Sequence, residues 1–382
     1  MNILLYEWEA SVSTVKVVHS MEQRGWKVKK YQRKIKDFFL DEEFEQELCV
    51  QMEDVDAVFS FNFYPLIARN CHLRNIKYIS WSFDCPLFQL FSKETLYDTN
   101  YIFVFDLEQL QECKRAGIKN IYYLPLVANM VCDESKKPIK YQCDVSFVGQ
   151  LYDVNIYREI NYLPEYIRGF LEGIMSAQKL IYGADILDEL LFPNYMNEIE
   201  KYVTLGMNKE RYIFLDNKKV FISLMLEREI SCWERTDIIK LMAEHFDFHL
   251  YTNSDTSYWP QVKNYGRTDY DTMLGTVYQT SKVNLNISAK NIHHGIPMRV
   301  FDILGAGGFC ISNYQRGLED VFELGTDLVV YDDYDDLIYK TTYYLEHKEE
   351  RVEIAENGRR KVREYHLYEH RLEEIERVVM GR

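Results

Sequence analysis

The sequence has no two cysteines close enough for a CxxC pair, no apolar run near the ~20 residues of a membrane helix, and no excess of basic residues. Each absence excludes something. Cys49, Cys71, Cys85, Cys113, Cys132, Cys143, Cys232 and Cys310 are scattered along 382 residues. A chain of that length needs no disulfides for stability and carries no secretion signal, so reduced, mostly buried thiols are expected. The N-terminal Met-Asn-Ile-Leu-Leu-Tyr turns acidic at Glu7 and Glu9, unlike a signal peptide or membrane anchor. A cytoplasmic protein without an integral membrane segment is expected. The formal net charge of −15 argues against a nucleic-acid partner. It leaves room for a local basic pocket around a small anion. Tandem repeats and low-complexity segments are also absent.

What is present is an ordinary globular composition, 47% hydrophobic and 27% charged, long enough for two domains. Short apolar runs at Asn2–Tyr6, Lys27–Tyr31, Asp56–Phe61, Lys77–Trp81, Tyr101–Phe105 and Asn120–Leu124 read as strands. Helical patterns at Ser13–Arg24 and Leu107–Ala116 lie between them. Such alternation predicts a parallel sheet covered on both faces. The polar stretch Asp133–Lys140 reads as a linker, giving domains 1–138 and 139–382. A strand restarts at Asp144–Val148, and residues 155–245 are largely helical, with no functional signal. A second series follows: strands at Phe246–Tyr251, Gln261–Tyr265, Lys282–Ile287, Phe309–Ser312 and Asp327–Tyr331, with helices at Tyr270–Thr280 and Pro297–Leu304. The tail from Asp335 to Val379 is helical and charged. The fold class is α/β, with two Rossmann-like domains facing a cleft.

Glycines are the first place to look for a phosphate site. Gly305-Ala-Gly-Gly308 leads from a helix into a strand, the reverse of a phosphate-cradling loop, so it reads as a helix cap and turn. Gly149 has the right order, ending a buried strand where α/β ligands sit. The stretch from Val283 to Leu304 is the most informative. Asn284, Asn286 and Ser288 share one face of a buried strand and must pair internally or line a wet cleft. Arg299 falls in the first turn of the next helix, where a cation opposes the macrodipole by about 0.3–1 kcal/mol. A bound diphosphate would reverse that sign. The competing reading is a bridge to Asp302. Asp302, in an otherwise apolar helix, is a candidate acceptor of ribose hydroxyls. The pair His293-His294 has no ligand-spaced Cys, His or Asp nearby, so no metal is expected; a hydrogen bond from His294 to a bound phosphate or sugar is. Asp84, just past a strand end, is a candidate general base or positioning residue, or a plain loop former. Glu7 and Glu9 follow the first strand and are weaker candidates.

Asn284-Leu-Asn-Ile-Ser288 and Gly295-Ile-Pro-Met-Arg-Val-Phe-Asp-Ile-Leu-Gly-Ala-Gly-Gly-Phe309 resemble the glycosyltransferase-like domain of the CgeB/YkvP spore-maturation family. Gly317–Glu323, Tyr365–Arg371, Asp144–Gly149 and Tyr265–Tyr270 fit the same pattern. Trp81–Pro86, Phe103–Asp106 and Tyr123–Leu126 resemble, more loosely, its usual N-terminal domain. The resemblance implies a GT-B architecture of the group-1 type, with the last helix crossing back to the first domain. It implies a hexosyl-type transferase using a nucleoside-diphosphate sugar as co-substrate, with no further cofactor and no metal. It also implies a donor site in the C-terminal domain. By correspondence, Asp302 takes the place of the second of two group-1 glutamates. The first falls near His294, where no carboxylate stands. Gly266 belongs to a turn resembling the loop that holds the donor base. Arg267, Lys290 and Arg299 are the candidate phosphate contacts, with Gly149, Ser288 and His294 beside them. The acceptor, whether glycan, protein or small molecule, is not readable. The alternatives are a nucleotide-sugar epimerase and a catalytically silent GT-B-like structural or sugar-binding protein.

Overall fold

The computed structural model of the protein describes residues 1–9, 11–132, 140–159, 162–205, 208–270 and 273–381. Two compact units emerge from it. One comprises Met1–Val127, Met207–Leu215 and Leu367–Arg382; the other comprises Ala128–Gly206 and Asp216–His366. The expected boundary at 138/139 and nearly all of the expected linker lie outside the described residues.

The first unit is built on six parallel strands: β1 (Asn2–Glu7), β2 (Lys27–Gln32), β3 (Ala57–Phe61), β4 (Lys77–Trp81), β5 (Asn100–Val104) and β6 (Ile121–Tyr123). Their order is β2-β1-β3-β4-β5-β6. Ile3, Leu4, Leu5 and Tyr6 are all buried, as a strand covered on both faces requires. The helix Val12–Gln23 is capped by Ser11, whose side chain accepts from Thr14 N.

Two further helices, Glu42–Gln51 and Pro65–Arg74, complete the crossovers. Neither stands out from apolar periodicity. The first buries only Phe44 and Leu48, one i,i+4 pair. Its signal is instead Asp41, which accepts from Phe44 N at 3.1 Å, followed by acids in the first turn. The second carries Pro65 in its first turn.

The chain's last helix, Tyr368–Met380, belongs to this unit. Tyr368 meets Trp81 edge to face at 6.0 Å. Glu376 pairs with Arg24 at 2.7 Å, and Lys77 Nζ donates to the Val379 carbonyl at 2.8 Å. Buried Arg371 donates to the Pro125 carbonyl at 2.9 Å.

The second unit repeats the plan with β7 (Cys143–Val148), β8 (Phe248–Tyr251), β9 (Lys263–Asn264), β10 (Ser281–Asn286), β11 (Cys310–Asn313) and β12 (Val329–Tyr331). All pairs are parallel, in the order β12-β11-β10-β7-β8-β9. Between β7 and β8 lies a helical insertion with its own apolar cluster. Ile167, Leu171, Ile174 and Met175 of the helix Glu165–Lys179 pack with Phe221, Met225, Leu226 and Ile230. A π-helical turn, Ile222–Leu226, runs into the long helix Glu227–His245. That helix works on two sides: Ile230 joins the insertion, while Ile238, Ile239 and Met242 join the core around the sheet.

The eight cysteines are thiols, none joined in a disulfide. Among the described residues, no helix is long and apolar enough to cross a membrane.

The final helix is anchored by apolar as well as charged groups, since Leu372 is fully buried. Leu372→Ala should destabilise the protein by about 2–5 kcal/mol, read as a lower urea midpoint. A loss under about 1 kcal/mol would mean the helix only lies on the surface.

Candidate functional site

In open parallel sheets, ligands sit where the strand order reverses, beyond the carboxyl ends of the strands. In the second unit, β8 and β9 lie to one side of β7 while β10, β11 and β12 lie to the other. The reversal therefore falls between β7 and β10. Gly149 follows β7, and Ile287 and Ser288 follow β10.

This point is held together by Arg235, 2% exposed on the long helix. Its two terminal nitrogens donate to the carbonyls of Gln150 and Ile287, one beyond each strand. Its guanidinium lies over the rings of Tyr152, 4.5 Å from the centroid, and Phe147, 5.5 Å away. Arg299 covers Phe147 at 5.1 Å and donates to Asn286 Oδ1 at 3.1 Å. Arg228, exposed, stands 5.5 Å from the Tyr152 ring. Three guanidiniums thus surround Phe147 and Tyr152. The Tyr152 hydroxyl is held below its ordinary pKa by Arg235 first, against the effect of burial, and by Arg299 and Arg228. Tyr152 has φ +59, an outlier for a bulky side chain. Gly149 is required here by space: a Cβ would lie 2.6 Å from Arg299 Nη2.

Arg299 is in the first turn of the helix Met298–Gly305, so the cation and the helix N-terminus act on the same region. Of the sequence candidates, the structure brings Gly149 and Arg299 together and adds Arg235, Arg228 and Tyr152. Arg228 and Arg235 come from the helical stretch that shows no functional pattern in the sequence. Their only signal is that they lie on a helix that leads into a strand of the parallel sheet.

The other candidates are placed differently. The polar face of β10 pairs internally. Asn284 accepts from Ser146 Oγ at 3.0 Å, and Asn286 Nδ2 donates to Ser288 Oγ and Ser312 Oγ, both at 2.9 Å. Ser288 donates onward to Gln315 at 2.7 Å, so it is a link in a buried network. Lys290, expected at the phosphates, turns inward instead. Its ammonium lies 3.5 Å from Glu234, 4.1 Å over the Tyr182 ring, and donates to the carbonyls of Lys179 and Ile181. Burial lowers its pKa. His294 pairs with Asp320 at 2.6 Å. Gly266 adopts φ +76 and donates to Asn264 Oδ1 at 2.9 Å, with Arg267 exposed beside it, past β9 at the sheet edge.

Asp302 bridges neither Arg299 nor solvent. Its Oδ1 accepts from the backbone N–H of Asn129 at 2.7 Å and of Met130 at 3.0 Å, and its Oδ2 accepts from the Tyr270 hydroxyl. It is 2% exposed, and burial pushes its carboxyl up to about 7 against those donors. Both oxygens are therefore engaged inside the unit, so a ribose contact is not what this geometry offers. The sequence could not reveal this, because the partners lie far from Asp302 along the chain.

The histidine pair also departs from expectation. No metal-ligand spacing surrounds His293 along the sequence, yet in space its ring meets Asp185 and Glu227.

In the first unit the order reverses between β1 and β3. Glu7 ends β1, 9% exposed. Asn62, φ +61, follows β3. Its Nδ2 donates to exposed Asp84 Oδ2 at 2.7 Å, and its Oδ1 accepts from the N–H of Phe83 and Asp84. Asp84 is thus fixed past β4, held by an asparagine that sequence reasoning passed over. Exposed Glu9 pairs with Lys34.

Residues 235–377 match a family model described as glycosyl transferase-like. No curated protein matches the chain. The fold is similar to that of Anabaena HepE, solved with UDP and glucose, at TM-score 0.53 and 7% identity over 100% of both chains. It is similar to sucrose-phosphate synthase from Thermosynechococcus elongatus, at TM-score 0.56 and 10% identity over 100% of this chain and 98% of that one. It is similar as well to T4 phage β-glucosyltransferase, at TM-score 0.53 and 11% identity over 99% of each. The architecture is the GT-B fold, two units each built on a parallel sheet.

Two outcomes follow from this geometry. Gly149→Ala should leave the fold intact and weaken binding of a nucleoside diphosphate at least tenfold, measured calorimetrically, because Arg299 must move aside. Unchanged affinity would take the Arg299–Gly149 approach out of the site. Asp302 titrates higher in the folded protein, about 7, than its ordinary 3.8. Its favourable neutral form is fully present below the unfolded value and is lost as pH rises through 7. The stability of the native protein relative to Asp302→Asn should fall by roughly 1.4 kcal/mol per pH unit between about pH 4 and 7, then level off. A flat difference in urea midpoints over that range would contradict the raised pKa.

Proposed function

We propose that the protein is a glycosyltransferase that moves a hexose-type sugar from a nucleoside-diphosphate donor to an acceptor. One observation carries the reading: the guanidiniums of Arg235, Arg299 and Arg228 gather at the strand-order reversal of the glycosyl transferase-like unit. Arg235 is bonded to two carbonyls and Arg299 to an amide oxygen, so these bonds do not neutralise their charge. In a chain of net charge −15, that cluster suits a small anion with several oxygens. A diphosphate fits, and HepE and T4 β-glucosyltransferase have been solved with UDP or UDP-glucose.

Loss of the diphosphate leaving group builds negative charge on its bridging oxygen. Arg299, Arg228 and the N-terminus of the helix Met298–Gly305 stabilise that charge, a task a metal ion performs in other transferases. Gly149 lets the diphosphate approach the backbone. The turn at Gly266 and Arg267 is the proposed contact for the base, and His294 a proposed contact for the sugar. Asp84 and Glu7 are the proposed acid–base and positioning residues toward an acceptor hydroxyl. The motif from Asn284 to Phe309 supports a CgeB/YkvP-type member, working in the cytoplasm with its cysteines reduced.

The test is a thermal-shift panel of UDP, GDP, dTDP, CDP and ADP, with and without magnesium. A ligand at 100 times its Kd stabilises by about 2.7 kcal/mol, a rise of a few degrees. One diphosphate should give that rise without magnesium. Arg299→Ala should abolish it and cut turnover by at least a hundredfold while the fold persists. No shift from folded protein with any diphosphate would overturn the reading in favour of a catalytically silent GT-B-like protein.

A further inference from the structure

Asp185, Glu227 and His293 each offer one ligand atom, all lying within 4.8 Å of one another. They come from separate places: the segment before the short helix Leu187–Leu190, the first turn of Glu227–His245, and the loop after β10. Glu227 is 2% exposed. Its Oε1 lies 2.6 Å from His293 Nε2, while its Oε2, also buried, has no hydrogen-bond partner among the described residues. A buried carboxylate oxygen without a donor is costly. A cation between the three side chains would remove that cost.

The backbone supports this placement. Glu227 directly follows the π-helical turn Ile222–Leu226, whose extra residue resets the helix face and often marks a functional site. A path from solvent exists, because the His293 side chain is 26% exposed and Asp185 is half-buried. Asp185 is itself steadied by the Leu187 N–H at 2.8 Å.

We propose that Asp185, Glu227 and His293 form a site for a divalent transition-metal ion. Two carboxylates and one imidazole suit Mn²⁺ or Zn²⁺. Metal–ligand bonds of about 2.0–2.2 Å require donor atoms about 3.3 Å apart, so modest side-chain rotations close the triad. Three protein ligands leave coordination positions for water or a hydroxyl. Binding needs ligand atoms that carry no proton, so entry of the ion is coupled to proton release. The site uses none of the arginines assigned to the diphosphate and does not depend on that assignment.

The experiment is a titration of chelator-treated, full-length protein with Mn²⁺ in the absence of nucleotide, free ion being read by electron paramagnetic resonance. Mn²⁺ is chosen because the cysteine thiols would compete for Zn²⁺. The expected result is one ion per chain, at least tenfold weaker in Asp185→Asn and lost in His293→Ala and Glu227→Gln. Circular dichroism confirms that each variant is folded. If buried Glu227→Gln does not fold, the two variants at more exposed positions decide. Folded wild type that binds no Mn²⁺ would overturn the proposal, the three groups then being a plain ion-paired cluster. So would equal affinity in the variants, which would mean an ion held elsewhere on an acidic surface.

Discussion

The carboxyl ends of the second sheet depend on one buried cation. Arg235 lies inside the second unit, bonded to a carbonyl beyond β7 and a carbonyl beyond β10. An isolated buried charge is costly, so the guanidinium fixes those carbonyls where it can be satisfied. The two strand ends that flank the reversal of strand order are thereby locked to the same helix. Carbonyl oxygens accept from both terminal nitrogens without cancelling the charge. The point where an α/β sheet receives its ligand is therefore held positive by the same group that holds it in shape.

The surrounding residues follow from that constraint. Phe147 and Tyr152 give the guanidiniums flat aromatic faces in place of water. Gly149 is small because Arg299 occupies the space of a side chain. Asn286 holds Arg299 while belonging to the amide and hydroxyl network that runs through Ser288, Ser312 and Gln315. Such a network is stable inside a protein only when its members are paired, which makes the β10 face rigid. Asp302 plays a parallel part, clipping Asn129, Met130 and Tyr270 to the helix that begins beside Arg299.

The helical insertion gains a purpose from this arrangement. It has its own core, yet its last helix crosses to the sheet and carries Glu227, Arg228 and Arg235 within about two turns. Arg228 and Arg235 reach the same tyrosine, while Glu227 meets His293. The π-helical turn Ile222–Leu226 runs directly into Glu227. In the first unit, Asn62 does comparable work on a smaller scale, holding Phe83 and Asp84 through three hydrogen bonds.

The sequence alone determined the two parallel sheets, because buried strands are continuous apolar runs and their alternation with helices leaves few topologies. It also marked Gly149 and Arg299, whose meaning depends on local order: a glycine after a strand and a cation in a first helical turn. It missed the helices Glu42–Gln51 and Pro65–Arg74, which are signalled by caps more than by apolar period. Tertiary structure alone decided the rest. Lys290 and Asp302 look available in sequence, but their partners Glu234, Asn129 and Tyr270 are brought to them by folding. Arg235 and Glu227 look like ordinary helix residues until the helix is laid against the strand ends. A side chain's chemistry is written locally, but its partners and its burial are set by distant segments, and those decide whether a charge binds a ligand or holds the fold.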